Sequence, residues 1–303
     1  MIRTKVYSSS EADFPLKYID NRVNSRSILM AKPDFFSHSF IEKTAFDEKI
    51  ITSNLMIIQE QWEELNAIYH WLKDKGFVDE IFEMDAAEGL QSLTLIADKV
   101  ISWKTEESSF YFLGQAKSDV EKIHLEAVSS FFDSKGYDQI VYEKENRFSG
   151  TLDLVPHLGK KMILTGIRPE QEIPCYKFIT HIFKTPIITL EIIDPRFKHL
   201  SECFLQIDEK NAMYFSDAFS DESIEYLHSI YDHIIDLPED EVSNFALMSD
   251  LFLNGKEKIA LVQIGNSLSS KILKKFGYKI IEINLSEFNK FGFGIKHLRN
   301  FLY

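Results

Sequence analysis

Four short segments of the sequence place titratable side chains beside glycine or aromatic residues. They are residues 82–85 (Phe-Glu-Met-Asp), 148–153 (Phe-Ser-Gly-Thr-Leu-Asp), 197–200 (Phe-Lys-His-Leu) and 292–298 (Gly-Phe-Gly-Ile-Lys-His-Leu). Histidine and carboxylate side chains are the types that most often transfer protons in enzymes. Taken singly, however, an aspartate after a strand usually belongs to a turn, and a histidine among apolar residues is usually a satisfied core residue. The residue types therefore allow acid–base chemistry without specifying it.

Taken in order, these segments resemble the guanidine-modifying superfamily, which includes dimethylarginine dimethylaminohydrolases, arginine deiminases and amidinotransferases. Residues 29–36 are similar to the family's opening strand, 61–65 to its first helix, 78–85 to its substrate strand and 194–200 to its histidine strand. The resemblance extends from about residue 28 to residue 302. It implies an α/β fold, a pseudo-fivefold α/β propeller of ββαβ units called the pentein fold, with the site in the central channel.

The resemblance also implies roles for individual residues. In the family, carboxylates grip the guanidinium N–H groups, a thiolate attacks the central carbon, and a histidine with a carboxylate transfers protons. His199 matches the acid–base histidine, and Asp153 matches the last aspartate of a Phe-Glu-Gly-x-x-Asp motif. Asp79 and Asp85 lie in the segment that matches the substrate strand, and Arg168 matches an arginine that binds a substrate carboxylate.

The sequence departs from the family pattern at residues that would take part in catalysis. The spacing of the Lys-x-Gly-x-x-(Ile/Val)-(Lys/Arg)-Cys pattern puts His297 where the nucleophilic cysteine is expected, and Ser149 replaces the glutamate that commonly partners the histidine. The two cysteines do not compensate. Cys203 is expected about 13 Å from His199 along one strand, and Cys175 is expected to be a buried structural thiol. His199, His297 and Asp153 are therefore the candidate catalytic residues, with an altered nucleophile.

Three functions remain open at this stage. The first is an inactive or repurposed descendant whose pocket still binds a guanidino or amino-acid ligand. The second is an active hydrolase or amidinotransferase acting on arginine derivatives, with His199 as acid–base and Asp85 as substrate grip. The third is a metal site built from His199, His297 and Asp153. Because these three residues show no ligand spacing in the sequence, no resident metal or other cofactor is predicted.

The elements that must position these residues recur along the chain. One helical face is predicted where apolar residues are spaced by four and three, at Ile58, Trp62, Leu65, Tyr69 and Leu72. Further helices are predicted after the Ser118-x-x-Glu121 capping box and over residues 174–183, 221–234 and 267–276. Strands are predicted at 27–31, 77–82, 137–142, 187–191 and 279–282, with hairpins joining 93–96 to 100–103 and 152–155 to 161–164. This recurrence independently indicates a closed repeat of about five units.

Composition sets the outer limits of function. The 303 residues are 45% hydrophobic and carry a net charge of −13. We expect one domain over residues 26–303 after a loosely ordered segment 1–25. The negative charge disfavours nucleic acids and anionic membranes as partners, and no apolar run predicts a membrane span or secretory signal. Two cysteines are consistent with a cytoplasmic protein, and the oligomeric state is not indicated.

Overall fold

The computed structural model describes residues 3–22, 24–43, 48–105, 108–116, 118–142, 148–169 and 174–303. Across these ranges, fifteen strands form five three-stranded units, here called blades 1–5. Blade 1 consists of Asn300–Leu302, Ser27–Ala31 and Glu80–Met84, and blade 2 of Val100–Lys104, Ser109–Leu113 and Asp138–Ile140. Blade 3 consists of Leu154–Pro156, Ile163–Ile167 and Ile187–Glu191, and blade 4 of Phe204–Gln206, Asn211–Tyr214 and His233–Asp236. Blade 5 consists of Asp250–Asn254, Glu257–Gln263 and Lys279–Ile283.

Every blade has the same connectivity. The first two strands pair antiparallel, a helix crosses over, and the third strand pairs parallel to the second. The crossover helices of blades 1–5 are Leu55–Asp74, Asp119–Ser134, Pro174–Phe183, Asp221–Ile230 and Ser267–Lys275. This is the ββαβ unit, so the prediction of a pseudo-fivefold α/β propeller is confirmed.

Blade 1 is assembled from both ends of the described chain. Its first strand, Asn300–Leu302, pairs antiparallel with Ser27–Ala31. Leu302 also pairs with Ser102, which joins blade 1 to blade 2 in one six-stranded sheet. The pairing of Asn300–Leu302 with Ser27–Ala31 therefore closes the ring of blades.

The crossover helices form where the apolar period predicted them. In Leu55–Asp74 the five residues of the predicted face are all buried, and the Asn54 side chain accepts a hydrogen bond from the backbone of Met56 at the start of the helix. The predicted Ser118 cap also forms, because its hydroxyl accepts from the Glu121 N–H at 3.2 Å. Such side-chain acceptors satisfy backbone donors that the first helical turn cannot.

Two predicted elements were wrong in part. Residues 93–96 do not form a hairpin strand. Val100–Lys104 pairs instead with Ser109–Leu113, and Ile96–Asp98 is a short 3-10 helix. The apolar run there reflects burial of a turn, since Leu93 and Leu95 face the core. The helix predicted to reach residue 234 ends at Ile230, because His233–Asp236 completes the parallel pairing of blade 4.

The N-terminal segment is ordered wherever the structure describes it. Val6–Ser8 pairs parallel with Ile187–Glu191 at the outer edge of blade 3, and Tyr7, Ala12 and Ile19 are buried. The expectation of loose order over residues 1–25 is thus corrected for the described part. Isolated apolar residues packing on an existing sheet edge leave no periodic signal. The division at residue 26 into a segment and a single domain stays a prediction.

Five short helices, here called the axial helices, each end just before the first strand of a blade within the described residues. They are Ile96–Asp98, Gly150–Asp153, Leu200–Cys203, Ala246–Met248 and Ile295–Leu298. Ala97, Leu152 and Met248, from three of them, form a buried apolar cluster. The axial helices therefore bring five distant parts of the chain together where the blades converge.

Other elements lie outside this repeat. Within the described residues, Ser39–Lys43 pairs with Glu48–Thr52 in a two-stranded hairpin. Two short α-helices are Glu239–Ser243 and Ser286–Asn289, and three 3-10 helices are Ser9–Glu11, Leu16–Tyr18 and Ser216–Ala218. Among the helices in the described ranges, none is long and apolar enough to cross a membrane.

Candidate functional site

Four of the five axial helices, all except Ala246–Met248, border a cavity of about 710 Å³. Its lining includes Asp98, Arg196, His199, Glu202, Phe293 and His297. Three of the axial helices contribute these side chains directly, at Asp98, Glu202 and His297. The closed ring of blades thus brings residues two hundred positions apart into one pocket.

His199 and Asp153 form a close pair beside the cavity. His199 Nδ1 lies 2.6 Å from Asp153 Oδ1, and Asp153 Oδ2 accepts a hydrogen bond from the Ser149 backbone N–H at 2.7 Å. Burial disfavours the charged ring, but Asp153 and then Glu202 outweigh it, so the pKa of His199 is raised. With Nδ1 committed to Asp153, Nε2 is the nitrogen left to exchange a proton with a ligand.

The local conformation of His199 differs from the predicted strand. His199 precedes Leu200–Cys203 as the N-terminal cap of that helix. The third helical residue, Glu202, reaches back so that its Oε2 accepts from the backbone N–H groups of Lys198 at 2.6 Å and His199 at 3.0 Å. This fixes the orientation of the Glu202 carboxylate. Glu202 was not among the predicted site residues, although its spacing from residue 199 is that of a capping box.

His297 lies in a short 3-10 helix, Ile295–Leu298, and not in the strand that was expected. Its Nδ1 accepts the Gly294 backbone N–H at 3.1 Å, so the neutral ring carries its proton on Nε2. That Nε2 lies 3.8 Å from Glu202 Oε1. Burial, followed by the nearby charge of His199, lowers the pKa of His297 to about 3. The ring is therefore neutral at physiological pH and oriented by the backbone.

Neither cysteine supplies a thiolate to the cavity. Cys203 closes the His199 helix, so the separation predicted for a strand was wrong, and its Sγ lies 3.6 Å from the Leu200 carbonyl oxygen. Burial raises its pKa well above the ordinary value. Burial likewise raises the pKa of Cys175 to about 12. Both thiols are buried and protonated, as expected for structural cysteines.

The two carboxylates expected to grip substrate have other partners. Asp85 is 87% exposed and its Oδ1 lies 2.6 Å from Lys32 Nζ. Asp79 lies 3.2 Å from Arg26. Neither carboxylate is among the side chains that border the cavity. Their role in substrate binding stays a prediction.

Arg168 also lies outside the cavity lining, yet it contacts the segment that borders it. Its guanidinium donates to the carbonyl oxygens of Asp194, at 2.8 Å, and Phe197. This segment carries Arg196 and Lys198, which do line the cavity. The substrate-carboxylate role of Arg168 stays a prediction, while its observed contacts position neighbouring cations.

The arrangement does not favour the metal hypothesis. In the described part of the chain, no group of three or more His, Cys, Asp or Glu side chains is arranged to hold a metal ion. Both oxygens of Asp153 are engaged by His199 and Ser149, and His297 Nδ1 is engaged by Gly294. Asp153, the carboxylate of the proposed ligand set, is thus already engaged by protein partners.

Comparison with known proteins gives relatives along most of the chain. No protein-family model matches. The bifunctional arginine dihydrolase/ornithine cyclodeaminase ArgZ of Synechocystis is 25% identical over 276 residues, which is 89% of this chain and 37% of ArgZ. The N(G),N(G)-dimethylarginine dimethylaminohydrolase of Mycobacterium tuberculosis is 22% identical over 283 residues, 90% of this chain and 84% of that enzyme. The chain thus spans about 37% of the length of its bifunctional relative.

Solved structures share the fold. The N-terminal domain of ArgZ, an arginine dihydrolase bound to its product, superimposes with a TM-score of 0.77 at 20% identity, covering 92% of this chain and 98% of that domain. A dimethylarginine dimethylaminohydrolase variant in an adduct with S-methyl-L-thiocitrulline gives a TM-score of 0.64 at 12% identity, covering 92% of this chain and all of the other. Both likenesses place the five-bladed arrangement among known folds.

Proposed function

We propose that this chain, which belongs to the guanidine-modifying (pentein) superfamily, binds a guanidino or amino-acid ligand in its central cavity without forming a thiolate adduct. One observation carries the proposal. His297, which the sequence pattern aligns with the family nucleophile, is neutral and oriented by Gly294, and His199 and Asp153 form a close pair at the same cavity. The chain is thereby equipped to recognise a family ligand but not to attack it with sulfur.

Carboxylates in the cavity suit the cationic end of such a ligand. Glu202 is held by two backbone donors through Oε2, which leaves Oε1 directed toward the His297 side of the cavity. Asp98 also lines the cavity and lies 2.6 Å from Lys99 Nζ. A planar guanidinium presents several N–H donors, and hydrogen bonds from it to carboxylates are strengthened by charge. Lys198 adds a positive charge suited to a ligand carboxylate.

The chemistry of the site explains why we expect binding without covalent catalysis. A guanidinium carbon is a poor electrophile and requires an activated nucleophile. The buried thiols are protonated, and His297 is held as a neutral ring by its backbone partner. The names of the relatives, an arginine dihydrolase and a dimethylarginine dimethylaminohydrolase, support arginine and its derivatives as the ligand class.

Direct hydrolysis by water is the second candidate, favoured by the retained His199–Asp153 pair. In this reaction His199 Nε2 takes a proton from water as the water oxygen bonds to the guanidinium carbon. The carbon–nitrogen bond then breaks, and the departing amine takes the proton back from His199. The raised pKa of His199 opposes this step, because the ring must first be neutral.

Two experiments test both candidates. Calorimetric titration with L-arginine and dimethylarginine measures binding, and assays for ammonia, citrulline, dimethylamine and urea measure product. We expect binding heat without product. Absence of binding to folded protein would refute the proposal, and product formation that disappears in His199→Ala would establish the second candidate.

A matched pair of variants tests the binding groups. Glu202→Gln should weaken L-arginine binding by roughly tenfold or more, because a charge-assisted hydrogen bond becomes neutral. Glu225→Gln, at an exposed position on the blade 4 helix, should bind as the native chain does. Circular dichroism checks that Glu202→Gln keeps its fold, since this side chain also caps a helix.

A further inference from the structure

A serine–histidine pair lies in another part of the cavity wall, separate from the residues above. Ser92 Oγ is 3.2 Å from His124 Nδ1. Ser92 is partly exposed and lies in the turn before the axial helix Ile96–Asp98, whereas His124 is 1% exposed and lies on the blade 2 helix. Both residues border the cavity of about 710 Å³. A partly exposed hydroxyl is thus paired with a buried imidazole at a ligand-sized space.

The surroundings of His124 keep its ring neutral. Burial, followed by the charge of Lys99, lowers the pKa of His124, against opposing effects of the Gly89 backbone, Glu121 and Asp98. A neutral ring whose Nδ1 faces a hydroxyl can accept the hydroxyl proton. The geometry required of a general base, which is hydrogen-bond reach to the proton it removes, is therefore present.

The ring of His124 also has a backbone neighbour. A hydrogen bond with the Gly89 backbone raises the pKa of His124 against the larger effect of burial. A contact of this kind helps to hold the ring with Nδ1 toward Ser92, as a base that activates a nucleophile is oriented by a third group.

We propose that Ser92 is a nucleophile and His124 its general base, and that the pair performs acyl transfer on a carboxylate-bearing ester or amide. His124 Nδ1 takes the Ser92 proton as Oγ bonds to the carbonyl carbon. The ring then gives this proton to the leaving oxygen or nitrogen as its bond to carbon breaks. Water attacks the acyl-serine through the same proton transfers, which releases the acid and restores the hydroxyl.

The charge of the wall indicates which acyl compounds would fit. Lys99, Arg196 and Lys198 line the same cavity. Lys99 is paired with Asp98, and Arg196 is paired with Asp194 and Glu239. Among the described cations of this wall, Lys198 is therefore the one that favours a substrate with a negative group. The proposal does not rest on binding of a guanidino ligand.

Labelling with a fluorophosphonate probe, followed by peptide mass spectrometry, tests the pair. We expect one adduct on Ser92, lost in Ser92→Ala and formed at least about 100-fold more slowly in His124→Gln, which removes the base. Ser130→Ala, an exposed serine on the same helix as His124, should label like the native chain. Hydrolysis of p-nitrophenyl acetate should follow the same order among the variants.

Folded native protein that gains no adduct on Ser92 would overturn the proposal. So would equal labelling rates in the native chain and His124→Gln, since the serine would then not be activated by the ring. Because adduct mapping uses the native chain, the test stands even where Ser92→Ala fails to fold. Arginine binding is measured separately, on unlabelled protein. A failure of the acyl-transfer proposal can therefore be told apart from a failure of the ligand-binding proposal.

Discussion

At the scale of single residues, His297 is the position on which the proposed chemistry depends most, because the sequence pattern aligns it with a nucleophilic cysteine. The sequence placed His199, Asp153 and His297 in one candidate site, and the structure brings all three to the same cavity edge. Glu202 carried a local signal in its capping-box spacing from His199. Asp98 and His124 carried none, because their proximity to the site depends on how the blades close. Asp79 and Asp85 matched a motif, yet motif position did not determine which partner each carboxylate finds.

Introducing a thiol at position 297 tests whether the absence of a cysteine there prevents covalent catalysis. The thiol of His297→Cys would lie near His199, whose raised pKa favours a charged ring and thereby a thiolate. We expect this variant, unlike the native chain, to form a covalent adduct with a chloroacetamidine at residue 297. Mass spectrometry of the labelled peptide checks the result. An unreactive, folded variant would show that more than the missing sulfur separates this site from catalysis.

His157 is expected to make stability fall in mild acid. It is fully buried and stacks on Tyr231. Burial lowers its pKa to about 4 from 6.5, so the neutral ring stabilises the fold above about pH 6.5 and this stabilisation is lost toward pH 4. The loss from His157 between pH 7 and pH 5 is about 2 kcal/mol.

The variant His157→Phe isolates this contribution. Phenylalanine keeps an aromatic ring against Tyr231 but cannot take up a proton. Urea unfolding at pH 7 and pH 5 should show a smaller acid-induced loss in the variant than in the native chain. Equal losses in the two proteins would place the acid sensitivity elsewhere.

At the scale of elements, burial periodicity was a good guide to helices and a poor one to turns. The helix at 174–183 and the strands at 27–31 and 187–191 form with the predicted bounds. The axial helices could not be foreseen, because each is only three or four residues long and is stabilised by neighbours from other blades. The same reason explains why apolar residues 93–96 resembled a strand.

Gly150 illustrates how tightly one axial helix is placed. Its φ of +51° lies in the left-handed region, and an added Cβ would meet the Ala97 carbonyl and the backbone of Val100. Gly150→Ala should therefore cost more than about 2 kcal/mol, combining backbone strain with displacement of the helix that carries Asp153. Chemical denaturation measures the loss.

Gly136→Ala is the matched control. Gly136 has a φ of +76°, but an added Cβ would meet no atom within 4 Å. It should show only the backbone cost, about 1–2 kcal/mol. Similar losses in the two variants would mean that contact with blade 2 does not constrain Gly150.

At the scale of the whole molecule, buried charge links separate blades. Arg299, just before the closing strand, donates to Asp250 of blade 5, and Tyr69 of the blade 1 helix donates to the same carboxylate at 2.7 Å. Lys296 Nζ donates to the Leu247 carbonyl at 2.6 Å, next to His297. These contacts hold the last part of the chain between the first and fifth blades.

Removing the buried carboxylate should destabilise the ring strongly. Asp250→Asn leaves the Arg299 guanidinium buried without its counterion, which typically costs about 3–5 kcal/mol. Asp232→Asn breaks the exposed pair with Lys210 and should cost at most about 1 kcal/mol. Thermal and urea unfolding compare the two variants. A small loss for Asp250→Asn would show that water or a rearranged partner compensates for the missing charge.

The pairing of Asn300–Leu302 with Ser27–Ala31 has a consequence for biosynthesis. Blades 2–5 are each continuous in the chain and can begin to fold as they leave the ribosome. Blade 1 has to wait, with one edge of Ser27–Ala31 unpaired, until Asn300–Leu302 has been translated. An exposed strand edge readily pairs with other chains, so the nascent protein is prone to aggregation for as long as Asn300–Leu302 has not been synthesised.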